Sequence, residues 1–129
     1  MTQTEGRCHD LQDILDRCLA QPRLAPALGV TICWYGRRKI VKKVIKTSMA
    51  WYHKGDQAIR VNRILDQDWV PEYVLVDLVS HELLHHLLGW ERDPHHLAFR
   101  LAEAALPWHK AAAWWIEANI DRLLGRRAS

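Results

Sequence analysis

Val70-Pro71-Glu72-Tyr73-Val74-Leu75-Val76-Asp77-Leu78-Val79-Ser80-His81-Glu82-Leu83-Leu84-His85-His86-Leu87-Leu88-Gly89 decides how this chain is read. Pro71 suits the first turn of a helix, where its missing N–H costs nothing. Val74, Leu75, Leu78, Val79 and Leu83 then recur at helical spacing, and Gly89 is a C-terminal stop. Inside this helix lies His81-Glu82-Leu83-Leu84-His85. Residues four apart project from one helix face about one turn apart, so both imidazoles can reach one zinc ion. Glu82 lies beside the metal as a general base, able to take a proton from zinc-activated water and pass it to a leaving amine.

A catalytic zinc site takes three protein ligands and keeps a fourth position open. His95 and His96 fall where a new helix is expected, after a short loop from Gly89 to Asp93 that could fold back over His81 and His85. Glu103, two turns further on, offers a carboxylate in place of a third imidazole. Asp77, one turn before His81, is either a carboxylate that orients that imidazole or a solvated helix residue. Cys8 and His109 are more remote candidates, the first as a thiol in an inhibitory N-terminal segment, the second as a group approaching an oxyanion. The tryptophans read as packing anchors.

Before the decisive helix, Leu11, Ile14, Leu15, Cys18 and Leu19 share a helix face over residues 8 to 20, with Asp10 as its cap. Pro22 and Pro26 leave 21 to 28 as a loop. Val30, Ile32 and Trp34 alternate as a strand does. Ile40, Val41, Val44, Ile45, Trp51 and Tyr52 suggest one bent strand or two over 39 to 52, and Lys54-Gly55-Asp56 a tight turn. Ala58 to Asn62 alternates again. After Gly89, Asp93 and Pro94 are expected to open a helix running to Leu106, and a last helix to run from Trp108 to Leu124, closing at Gly125. The expectation is an α+β domain over residues 1–129: an N-terminal helix, a small three-stranded antiparallel sheet, the His-Glu-x-x-His helix and two C-terminal helices.

Composition fits one such domain. The chain has 129 residues, 49% hydrophobic and 26% charged, which is not a disordered composition. A net charge of +3 is too mild to point to nucleic acid. The basic cluster Arg37-Arg38-Lys39, Lys42, Lys43 and Lys46 is read as a solvated strand face, with a phosphate-contacting surface as the alternative. No stretch reaches the roughly 18–20 apolar residues of a membrane span. Three scattered cysteines and no secretory signal lead to the expectation of a cytoplasmic protein, in a reducing compartment unsuited to disulfides, and of a monomer.

From Ile59 to Trp115 the chain resembles the SprT-like and YgjP-like minimal zincins, called minigluzincins where the third ligand is glutamate. Ile59-Arg60-Val61-Asn62-Arg63-Ile64-Leu65 resembles the family's edge strand and N-x-x-L element. Val70-Pro71-Glu72-Tyr73-Val74-Leu75 resembles its V-P-x-x-V-L start of helix, and His95-His96-Leu97-Ala98-Phe99 its H-x-x-x-F element. The resemblance implies a zinc metallopeptidase acting on a peptide or protein, with His81, His85 and His95 on the metal and Glu82 as general base. It implies Phe99 anchoring the helix behind His95, or Glu103 as third ligand in the glutamate variant. It also implies that Ala58 to Val61 pairs with an extended substrate. The downstream cysteine-bearing zinc ribbon of many SprT relatives is missing. The alternatives are a zinc-stapled interaction module in which Glu82 is not catalytic, and a nucleic-acid-associated SprT-like protein.

Overall fold

The computed structural model describes residues 4–36, 49–89, 93 and 95–125. The first helix, α1, spans Leu11–Leu19, and the Asp10 carboxylate accepts from the Gln12 N–H at 2.8 Å, capping it as expected. Leu11, Ile14, Leu15 and Cys18 form its buried face. Among the described residues three strands follow: β1 (Thr31–Tyr35), β2 (Ala50–His53) and β3 (Ala58–Asn62). The helix α2 covers Glu72–Leu88, α3 Leu97–Ala104 and α4 His109–Leu123. This is the expected α+β architecture, and no helix of the described residues is long and apolar enough to cross a membrane.

The sheet differs from the expectation in one respect. Its order is β1-β3-β2, with β2 antiparallel to β3 but β1 parallel to it. The turn after His53 makes β2 and β3 a hairpin, with Gln57 at φ 49°. β1 pairs on the other side of β3, so it runs parallel, as strands separated by a long crossover can. β3 is therefore central, which is why four of its five side chains are buried where β1 alternates. The stretch read as strand over 39 to 48 and the basic cluster from Arg37 to Lys46 lie outside the described residues.

α2 runs through the middle of the molecule. It packs against α1, β2, β3, α3 and α4, and it is buried on nearly every side. A helix apolar around most of its circumference belongs in such a position. Cys18 of α1 meets it at Ser80 and Val76: Ser80 Oγ donates to Cys18 Sγ at 3.4 Å, and the thiol donates to the Val76 carbonyl at 3.4 Å. Burial pushes this thiol up to about 11, so it stays protonated. α2 ends at Gly89, whose φ of 74° is the left-handed value glycine tolerates.

The helix expected to be capped by Asp93 begins three residues later than expected, at Leu97. His96, not Asp93, is its N-cap: His96 Nδ1 accepts from the Phe99 N–H at 3.3 Å while Nε2 donates to the Leu88 carbonyl at 3.3 Å. One tautomer satisfies both bonds and ties the start of α3 to the end of α2. Asp93 caps only a turn, accepting from the His95 N–H at 2.9 Å. His95 thus stands on a turn before α3 rather than in its first helical turn. Tryptophan burial is also uneven. Trp34 and Trp115 are core, whereas Trp108 and Trp114 are exposed.

Candidate metal centre

Where α2 meets the turn before α3, three imidazoles converge. One ligand-type atom from each of His81, His85 and His95 lies within 4.8 Å of the others, the one such group among the described residues. The His81 and His85 rings are 4.9 Å apart, as one turn of a helix dictates. The His95 ring lies 5.3 Å from His81 and 4.9 Å from His85. Phe99 fixes this arrangement from below. It is fully buried, its ring is stacked on His85 at 4.4 Å, and it meets His81 at 4.9 Å and His95 at 5.1 Å edge-on. The group closes on the protein side and opens on the other: His85 is buried, His81 half-buried and His95 exposed.

Glu103 reaches the same site by another route. His81 Nδ1 donates to Glu103 Oε2. A carboxylate on Nδ1 holds the proton there and leaves Nε2 as the lone-pair nitrogen of His81. His95 and Glu103 are therefore both close to His81, although a continuous helix would set them roughly 12 Å apart. The chain turns between them. Burial, reinforced by His81 and His95, pushes His85 down to about 4, so its imidazole is neutral and its lone pair available.

Glu82 is buried beside the imidazoles, and its Oε2 has no hydrogen-bond partner among the described residues. Burial first and Glu103 second push its carboxyl up to about 8. It lines a cavity of about 300 Å³ with His81, Asp77, Glu103 and His109. Asp77, read above as either His81's orienter or a solvated residue, is neither. It is 7% exposed and faces His109, whose Nδ1 lies 3.5 Å from Asp77 Oδ2 and whose Nε2 lies 3.7 Å from Glu103 Oε1. α4 thus carries His109 to the cavity, a placement that only the packing of α4 on α2 could reveal.

Two further expectations change. Ala58 to Val61 cannot take a substrate strand by edge pairing, because β3 has β1 on one side and β2 on the other. Among the described residues, the outer strand next to α2 is β2. Tyr52 of β2 is pinned to α2 by a 2.6 Å hydrogen bond between its hydroxyl and His86 Nδ1, a contact without a sequence signal. Cys8 is exposed and outside the histidine group; its N–H donates to Asp66 Oδ1 at 2.8 Å.

The fold is similar to that in the crystal structure of the metallopeptidase zymogen of Methanocaldococcus jannaschii, jannalysin. The TM-score is 0.60 and the identity 22%, over 90% of this chain and 98% of that one. At that identity the likeness is one of fold. No protein-family model and no curated protein matches this chain.

Proposed function

We propose that this protein is a zinc-dependent metallopeptidase, with His81, His85 and His95 as metal ligands and Glu82 as general base. One observation carries the reading: three imidazoles converge within 4.8 Å, and beside them a buried carboxylate holds an oxygen with no hydrogen-bond partner among the described residues. The donor set suits zinc, which binds neutral imidazole and, in catalytic sites, takes three protein ligands with one position open. The exposure of His95 leaves that side accessible. The fold likeness to a metallopeptidase zymogen supports the same class. When bound, zinc supplies a Lewis acid that acidifies water and polarises a carbonyl.

The chain's own groups supply the rest. A cation beside Glu82 would favour its ionised form, in which Oε2 would accept a proton from the attacking water and return it to the leaving amine. Glu103 keeps the proton of His81 on Nδ1. Phe99 holds the three rings at fixed spacing. An extended peptide is taken up along β2, the outer strand beside α2, by main-chain hydrogen bonds.

The test is cleavage of a quenched-fluorophore peptide library by zinc-loaded protein. Glu82→Ala should retain zinc and lose about 10²–10⁴-fold in rate, the usual contribution of general acid–base catalysis. Cleavage by Glu82→Ala at the wild-type rate would contradict the mechanism.

A further inference from the structure

The cavity beside Glu82 holds more carboxyl groups than hydrolysis uses. Three carboxylates line it: Asp77, Glu82 and Glu103. Glu82 moves a proton in the proposed reaction and Glu103 holds His81. Asp77 has no such task. Its side chain is 8% exposed, and its Oδ1 has no hydrogen-bond partner among the described residues. The basic groups facing it are His109, with no atom closer than 3.5 Å, and His81, whose Nδ1 is engaged by Glu103. Buried carboxylate oxygens are normally paired, so an orphan of this kind at a cavity wall points to something that enters the cavity.

Apart from His81 and His109, the remaining walls are apolar, formed by Met49, Ala50, Leu78, Ala113 and Ile116. Apolar walls leading to a buried carboxylate match a side chain with a methylene stem and a cationic head. The volume, about 300 Å³, lies at the small end of ligand pockets and suits one long side chain. Burial raises the carboxyl of Asp77 above its ordinary value, a penalty that a cation in the cavity relieves. An apolar side chain would shut Asp77 Oδ1 away from water with no partner among the described residues, and an acidic one would meet three carboxyl groups.

We propose that this cavity is a specificity subsite for a lysine or arginine side chain of the substrate, with Asp77 as the residue that selects the cation. The subsite rests on the peptidase reading for its place next to the scissile bond, because the cavity is lined by Glu82. Its preference for a cation is a statement about binding and can be measured without turnover.

The experiment uses peptides that differ at one position, walked along the sequence, which carries lysine, norleucine or glutamate. At one position the zinc-loaded protein should cleave the lysine peptide at least tenfold better in kcat/KM than the norleucine peptide, and the glutamate peptide worst. Asp77→Asn should bring the lysine-to-norleucine ratio toward one. Ala113→Lys, a change at an exposed position of the cavity wall that tethers an ammonium there, should lower the ratio without depending on how Asp77→Asn folds. A protein that cleaves peptides with a flat ratio at every position overturns the subsite and leaves the peptidase reading standing. If no peptide is cleaved, the peptidase reading fails, and binding to zinc-loaded Glu82→Gln decides the subsite. Tenfold tighter binding of lysine over norleucine, about 1.4 kcal/mol, supports it; equal affinities overturn it.

Discussion

The histidine group joins two kinds of backbone. His81 and His85 stand on the most enclosed helix of the molecule, where α2 is packed by other elements along most of its circumference. His95 stands on a turn, exposed, held by one Asp93 hydrogen bond before it and by the His96 cap after it. Two of the three groups are thus placed by helical geometry, and the third by a loop that must be brought back over them. The contrast teaches where the site is rigid and where it depends on tertiary anchors. Phe99 is the strongest such anchor, because it touches all three rings from the first turn of α3.

That contrast can be broken at its anchors. The largest effect is expected at Phe99→Ala, which removes a fully buried ring and should cost about 3–5 kcal/mol in urea unfolding. A change under about 1 kcal/mol would mean that the three imidazoles are held by something else. Next comes Glu103→Gln. A carboxylate that acts only by holding His81 should weaken zinc binding about 10–100-fold in a competitive chelator titration. Complete loss of zinc would make Glu103 a ligand instead. The smallest effect is expected at His96→Ala, where a lost cap should cost about 1 kcal/mol of stability. Because that cap positions only the turn, zinc affinity should fall while the spectrum of a cobalt-substituted His81–His85 pair persists; unchanged affinity would separate His95 from its cap.

The helix-borne part of this site was legible in the sequence, and the loop-borne part less so. The i, i+4 spacing of His81 and His85 fixes their neighbourhood wherever the helix goes, as does the burial face of α1. His95 and His96 stand out by their position at an expected helix start, and the resemblance to the H-x-x-x-F element selects His95, yet its backbone is a turn rather than a helix. Asp93-Pro94 carries a strong helix-start signal, and His96, an unusual cap, prevailed because it could bond both Phe99 and Leu88. The sheet departs from the expected antiparallel order for a similar reason. Alternation locates strands but does not say which neighbour each one takes, and β1 crossed to the far side of β3. Asp77 and His109 illustrate the same limit. They are 32 residues apart and face each other only because α4 lies on α2.

The most direct test of the account is zinc content per chain by elemental analysis, for wild type, His95→Ala and Glu103→Gln after dialysis against a buffer of fixed free zinc. The account predicts near one zinc per wild-type chain, little in His95→Ala, and zinc restored in Glu103→Gln when free zinc is raised. A wild-type protein that takes up no zinc at any concentration would contradict the metal centre itself.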